Sequence, residues 1–251
     1  MANHWYSRVT GEPKYTIIGK NGKERDTTLA DARKLDLVPS VTTINGLLAK
    51  PFLNKWIIDQ VLLAVQTHKK LINHDNFDAI VLDESQKITK ESSKRGTELH
   101  DILEQCYKDK SLDITNNKDL DFILPVFDEV NALGLDIDWI AEKSVVHSEG
   151  FGGKVDLHSR TGNGFIVDFK TKQSDDIKKF QVYDEHVLQL AAYRLALNLP
   201  HARCFNLFIS TVTPGVIKLV EHSEEDLVRY LEMFRCMNRF WQLKNKFGIS
   251  V

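Results

Sequence analysis

The chain has 251 residues, of which 42% are apolar and 27% are charged, and its formal net charge is -2 at pH 7. This composition is typical of a globular protein and excludes collagen-like and intrinsically disordered chains. The near-neutral charge excludes a strongly basic protein that holds any polyanion by bulk charge, although a local basic groove would still permit nucleic-acid binding.

Cysteine content and hydropathy restrict the chain further. Cys106, Cys204 and Cys236 are far apart and form no C-x-x-C pair, so we expect reduced thiols and no disulfide framework, structural zinc site or four-cysteine cluster. We recognise no signal peptide and no apolar run near the roughly 18 residues that a membrane span needs. These features predict a cytoplasmic protein, in the host-cell cytoplasm if the chain is viral.

The pattern of polar and apolar residues changes near residue 39. Residues 1–38 are polar and turn-rich, which predicts a short hairpin followed by a loop. Residues 39–110 carry apolar side chains at spacings of three and four, as helices do. One helix is expected to open at residue 39 with an interruption at Pro51, and another to run from near Asp83 through Cys106.

The second half alternates between strand and helix patterns. Segments rich in Val, Ile and Phe, separated by glycine-containing turns, predict strands. Strands are expected at 137–147, 154–159, 165–170, 203–211 and 216–221, and helices at 184–198 and from Ser223 to about Lys246. This order predicts an α/β fold with a central mixed β-sheet flanked by helices.

We divide the chain into two parts on this basis. Residues 1–90 are predicted to form an N-terminal hairpin and helical extension, and residues 91–251 the core.

The residues most suggestive of chemistry lie on two neighbouring predicted strands. Asp168 and Lys170 are two residues apart, so they project from the same face of a strand. A turn centred on Gly162 would place Asp156 directly opposite Asp168, with Cβ atoms about 5 Å apart. Two carboxylates and one ammonium would therefore converge on one small patch. The apolar neighbours are expected on the opposite face: Val155, Leu157, Val167 and Phe169.

Two carboxylates held this close repel each other unless a cation neutralises them. Hard oxygen ligands suit Mg²⁺ or Mn²⁺, and such an ion polarises a phosphoryl oxygen and activates water. Lys170 beside it would orient the water or neutralise charge on the phosphate. The alternative is a solvated strand face that carries a cross-strand ion pair.

Two flanking motifs bear on this choice. Gly96 lies four residues before His100 in a predicted helix, where glycine costs about 1 kcal/mol relative to alanine. A close approach to the sheet or to a substrate would explain it, and His100 would then offer a ring nitrogen to the metal; a structural histidine is the alternative. Downstream, Gln189 and Tyr193 are four residues apart and share a helix face.

The order of these motifs resembles a known family. G-x-x-x-H (96–100), G-x-x-D (153–156), V-D-F-K-T (167–171) and Q-L-A-A-Y (189–193) follow one another within residues 95–193. This arrangement resembles the RecB-type branch of the PD-(D/E)-x-K nuclease superfamily, and residues 39–44 with Lys50, Pro51 and Trp56 resemble the N-terminal segment of its phage and mitochondrial members. The resemblance implies a restriction-endonuclease-like core with a helical N-terminal extension.

The resemblance also implies roles for individual residues. Asp156 and Asp168 would bind the metal together with the Phe169 carbonyl, His100 would be an additional ligand, and Lys170 would be the catalytic lysine. Asp168 stands where many relatives have Glu, and this shorter side chain would alter the spacing to the metal.

The resemblance gives roles to one further pair, and position along the chain suggests other candidates. Gln189 and Tyr193 would position DNA or the lysine. Glu142 is a possible further acid, since a turn centred on Glu149 would pair it with Asp156, or else a surface carboxylate. Four residues beside the motifs are candidate DNA contacts: Arg95, Thr97, Thr171 and Lys172. A solvated charged face is the alternative for Arg95.

The sequence thus predicts a Mg²⁺- or Mn²⁺-dependent DNA exonuclease that acts at single- or double-stranded ends in replication, recombination or repair. A recombination or replication protein is an expected partner. The alternatives are a structure-specific endonuclease of the same superfamily, a catalytically silent DNA-binding subunit and a generic metal-binding surface protein.

Overall fold

A five-stranded mixed β-sheet forms the centre of the protein. The computed structural model describes residues 4–109, 112–134 and 136–248. The strand order is β5-β6-β7-β8-β9; β7 and β8 run parallel, and the other neighbours are antiparallel. The strands are β5 (Ile140–His147), β6 (Phe151–Ser159), β7 (Phe165–Lys172), β8 (Arg203–Ser210) and β9 (Ile217–His222).

Helices cover both faces of this sheet. Their bounds are α1 (Leu29–Lys34), α2 (Val41–Asn45), α3 (Pro51–Thr67), α4 (Phe77–Lys108), α5 (Leu120–Asn131), α6 (Asp184–Ala196) and α7 (Glu224–Asn245). Buried side chains of α6 and α7 form one core with Ile166 and Cys204. Those of α4 and α5 form a second core with Val167 and Phe205 on the opposite face. The predicted α/β fold with a mixed sheet flanked by helices is confirmed.

Short strands build the N-terminal region. They are β1 (Trp5–Ser7), β2 (Thr16–Ile18), β3 (Glu24–Asp26) and β4 (Leu37–Pro39). β2 and β3 form the predicted hairpin, and β1 pairs with β4. Trp5 is fully buried in the core that contains α6, and α4 continues without a break across residues 90 and 91. This N-terminal region therefore packs directly on the sheet.

The helices after residue 39 differ from the sequence expectation in their bounds. The predicted helix from residue 39 is replaced by the end of β4 and by α2, because the Ser40 side chain caps α2 by accepting the Thr43 N–H. Pro51 begins α3, where its fixed φ suits the first helical position. α4 begins at Phe77, earlier than the predicted start near Asp83.

α5 is a helix that the sequence patterns did not predict. Ile123, Val126 and Val130 are buried along one face of this helix, at spacings of three and four. Pro125 lies inside the helix, where it removes one backbone hydrogen bond. The periodicity was a usable signal, but the proline contradicted it, and burial of the apolar face outweighs the lost bond.

β6 changes faces in its middle. Val155 belongs to the core that contains α6, whereas Leu157 belongs to the opposite core. Residues two apart in a regular strand share a face, so the strand switches at Asp156, opposite Glu142, which has a left-handed φ of 54°. The expectation that Val155 and Leu157 lie on one face is wrong for this reason.

Within the described residues, no helix is both long and apolar enough to cross a membrane.

An ion pair fastens α4 to the start of α5. The Arg95 guanidinium donates two hydrogen bonds to the Asp119 carboxylate, at 2.9 and 2.8 Å, and stacks over the Phe122 ring. The Asp119 side chain is almost fully buried. Hydrogen bonding from Arg95 holds the pKa of Asp119 below its ordinary value.

We predict that this pair makes folding stability depend on pH. Because the Asp119 pKa is lower in the folded protein, its ionised form stabilises the fold above the unfolded pKa of about 4, and this contribution is lost as pH falls through the folded pKa. Asp119→Asn should therefore lower the free energy of urea unfolding near neutral pH, and the deficit should shrink in acid.

The control is Asp128→Asn, which removes an exposed carboxylate from the same helix. Equal pH dependence of unfolding for the two variants would contradict the assignment.

Candidate active site

Asp168 and Lys170 meet on one face of β7. The Lys170 Nζ lies 2.9 Å from Oδ1 and 2.7 Å from Oδ2 of Asp168. The Asp168 side chain is 1% exposed and that of Lys170 is 23% exposed. The prediction that these two residues project from one face is confirmed, and the ammonium keeps contact with solvent.

Asp156 reaches the same patch from β6. The ladder pairs Leu157 with Val167 and His158 with Ile166, as a turn centred on Gly162 requires. It ends one residue before Asp156 and Asp168 would pair. Instead, Oδ2 of Asp156 accepts a 2.8 Å hydrogen bond from the Phe169 N–H, so the two strands separate where the carboxylates lie.

Phe169 therefore turns its main chain toward Asp156. In an extended strand, the N–H and C=O of one residue point toward the same neighbouring strand. The Phe169 carbonyl, predicted from the family resemblance to be a metal ligand, consequently faces the opening between β6 and β7.

A row of residues at four-residue spacing brings α4 onto the sheet. A Cβ on Gly96 would lie 2.5 Å from Oγ1 of Thr171, so the glycine permits the close approach that we expected. His100, one turn later, packs edge-on to the Phe169 ring, and its Nδ1 lies 3.9 Å from Oδ2 of Asp156. The helix thus adds an imidazole to the carboxylates.

α6 completes the site from the other side. Gln189 Oε1 accepts a hydrogen bond from Lys170 Nζ at 3.2 Å, and Gln189 Nε2 donates to the Tyr193 hydroxyl at 3.2 Å. Tyr193 packs against Gly153, where a Cβ would lie only 2.4 Å from Cε1 of the ring. The G-x-x-D and Q-x-x-x-Y motifs are therefore in direct contact.

Burial dominates the electrostatics of these groups. Desolvation raises the pKa values of Asp156 and Asp168, and Lys170 partly offsets this rise. The Asp156 charge raises the pKa of Asp168 further. Desolvation also lowers the pKa of His100, with a further lowering by Lys170, and therefore favours a neutral imidazole that can bind a cation.

Three residues that sequence reasoning missed adjoin the site. Asn206 of β8 is fully buried and donates a 2.7 Å hydrogen bond to Oδ2 of Asp168. Lys154 lies two residues before Asp156, and Glu104 one helical turn after His100; their charged groups are 3.7 Å apart. The spacings of Lys154 and Glu104 were available signals, whereas Asn206 depends on the parallel pairing of β7 with β8.

Glu142 lies beside this group. The register around it is the predicted one, with Ala141 opposite Leu157 and Lys143 opposite Val155, but the ladder omits Glu142 itself. Its carboxylate forms an ion pair with Lys154. The possible further acid is thus held by a lysine at the edge of the site.

The four candidate DNA contacts have protein partners of their own. Arg95 is bound to Asp119, and the Thr97 hydroxyl donates to the Ser93 carbonyl. Thr171 packs against Gly96, and the Lys172 ammonium lies 4.9 Å from the centre of the Tyr183 ring. The structure thus gives each residue a structural contact, and their roles toward DNA stay predictions.

The donor set agrees chemically with a hard divalent cation. The Asp156 and Asp168 carboxylates, an imidazole and a main-chain carbonyl lie around one opening, and the Asp156 charge raises the proton affinity of Asp168, which a cation would relieve. Among the described residues, no group of three or more His, Cys, Asp or Glu side chains is already arranged to hold a metal. Asp156, Asp168, His100 and the Phe169 carbonyl are the groups that would hold the ion.

Comparisons with known proteins add little. No family model and no curated protein matches the chain. A solved structure described as "Crystal structure of SSO0001" is similar over 46% of this chain and 57% of that chain, with 20% identity and a TM-score of 0.27. The chain thus spans little more than half the length of that protein.

We predict that Gly153 is required for the position of Tyr193. Gly153→Ala should lower the free energy of unfolding by about 1–3 kcal/mol, because the new methyl group overpacks a buried ring. In a Tyr193→Ala background the same change should cost much less. Urea unfolding of the four proteins in this double-mutant cycle measures the coupling, and strictly additive costs would show that the contact is unimportant.

Proposed function

We propose that this chain is a Mg²⁺- or Mn²⁺-dependent DNA exonuclease of the RecB type, with a restriction-endonuclease-like core, that acts in replication, recombination or repair. The observation that carries the proposal is the meeting of four separated motifs at one end of β7. Asp156, Asp168, Lys170 and Gln189 come together with His100 around one partly open patch. A chance ion pair on a solvated strand would not require this convergence.

The burial of the Asp168–Lys170 ion pair also favours a catalytic role over a role as a surface ion pair. Asp168 is 1% exposed, and placing a carboxylate there costs free energy that pairing only partly restores. Carboxylates with raised pKa values that sit beside a lysine in an opening are typical of functional sites. A generic metal-binding surface would keep its carboxylates in water.

The proposed reaction assigns a task to each side chain. Lys170 would donate hydrogen bonds to the phosphate and neutralise the charge that develops there. Gln189 holds the ammonium from one side and is itself held by Tyr193, so the lysine is preorganised. When bound, Mg²⁺ or Mn²⁺ would polarise a phosphoryl oxygen and lower the pKa of a water. Asp156, fixed by the Phe169 N–H, would keep its carboxylate aimed into the opening.

We predict that Lys170→Ala and Asp168→Ala each reduce DNA cleavage by about 100-fold or more, because each removes a charge from the reacting centre. The assay follows end-labelled linear DNA, single- and double-stranded, with and without Mg²⁺. Lys143→Ala, which removes an exposed lysine from β5, is the matched control and should retain activity. Thermal unfolding verifies that all the variants fold.

The same assay separates the proposed activity from its alternatives. An exonuclease leaves closed circular DNA intact, whereas an endonuclease cuts it. A silent DNA-binding subunit would retain DNA without cutting it. Full activity of folded Lys170→Ala or Asp168→Ala would contradict the assignment of these residues to the active site.

A further inference from the structure

The buried side-chain amide of Asn206 donates a hydrogen bond to Asp168. Asn206 is fully buried on β8, directly beside Asp168 in the parallel ladder. Its Nδ2 donates to Oδ2 of Asp168 at 2.7 Å, and its Oδ1 lies 2.8 Å from Nε2 of His222, at the end of β9. The three side chains form a line along one face of the sheet, from the site to the edge strand β9.

The direction of each hydrogen bond in this line follows from elementary chemistry. An ionised carboxylate only accepts, so the Asn206 amide must turn its NH₂ toward Asp168. Its oxygen must then face His222, and the ring must donate from Nε2. The line therefore has one arrangement of protons.

We infer that Asn206, oriented by His222, is a positioning residue that fixes the Asp168 carboxylate in its metal-binding orientation. This inference rests on the proposed function. Asn206 donates to Oδ2 alone, whereas Lys170 Nζ lies within hydrogen-bond distance of both carboxylate oxygens, so the amide fixes one oxygen and leaves Oδ1 to the lysine. Supporting partners of this kind typically change metal affinity or activity by about 10–100-fold.

The hydrogen bond from Asn206 also restricts the orientation of the Asp168 carboxylate. Asp168 lies where solvent cannot replace a lost donor, so an unsupported carboxylate would turn toward Lys170. This rotation removes a ligand from the metal site without disturbing the aliphatic core. A variant that lacks the Asn206 amide can therefore lose metal binding and still fold.

The test measures Mn²⁺ binding by calorimetry in the absence of DNA, together with the kcat and KM of DNA cleavage. Asn206→Leu should weaken Mn²⁺ binding by about 10–100-fold and lower kcat, with little change in KM for DNA. The matched control is Asn238→Leu, since Asn238 is another buried asparagine but donates to the Glu149 carbonyl on α7's side of the core. It should lose stability and keep its Mn²⁺ affinity.

A second pair of variants covers the case in which Asn206→Leu fails to fold. His222→Gln keeps a donor for Asn206 and should retain Mn²⁺ affinity, whereas His222→Phe removes it and should weaken Mn²⁺ binding. Unchanged Mn²⁺ affinity in folded Asn206→Leu, or in His222→Phe, overturns the inference while leaving the nuclease intact. A wild-type protein that neither binds Mn²⁺ nor cuts DNA overturns the proposed function, and this inference with it.

Discussion

The ion pair between Lys170 and Asp168 is the interaction on which the rest of the site depends. A carboxylate this deeply buried is unstable unless its charge is matched and its lone pairs are satisfied. Lys170 supplies the charge, and Asn206 supplies a second donor. Gln189 then holds the lysine and is itself held by Tyr193, so the partners of one buried carboxylate come from β7, β8 and α6.

Two features of the backbone make room for this network. β6 and β7 separate beyond the Leu157–Val167 pair, on the side of Asp156 and Asp168, which opens the sheet where Asp156 reaches the Phe169 N–H. Glu142 takes a left-handed conformation on the neighbouring strand, and β6 changes faces opposite it. An uninterrupted ladder would have paired these residues and closed the opening, so the site exists because regular pairing stops there.

Two glycines bring the helices close to the opening. Side chains at Gly96 and Gly153 would collide with Thr171 and Tyr193, respectively. Neither glycine needs an unusual φ; each is explained by contact. The approach at Gly96 brings His100 to the sheet, and the approach at Gly153 lets the Tyr193 ring of α6 pack against β6. Each of these two glycines thus lies where a helix and the sheet approach each other closely beside the site.

The sequence by itself determined the local parts of this protein. Strand alternation predicted that Asp168 and Lys170 share a face, and the position of Gly162 predicted the β6–β7 register, because both follow from a period of two and a short turn. Helical spacing likewise predicted that Gln189 and Tyr193 lie on one face of α6.

Only the tertiary structure decided which distant groups complete the site. Asn206 lies beside Asp168 because β8 returns parallel to β7 after α6, and no local pattern encodes that pairing. Arg95 is bound by Asp119 because α5, hidden in the sequence by Pro125, packs beside α4. The switch of β6 at Asp156 has the same origin: burial of two separate cores, one on each face of the sheet, outweighs the regular alternation of a single strand.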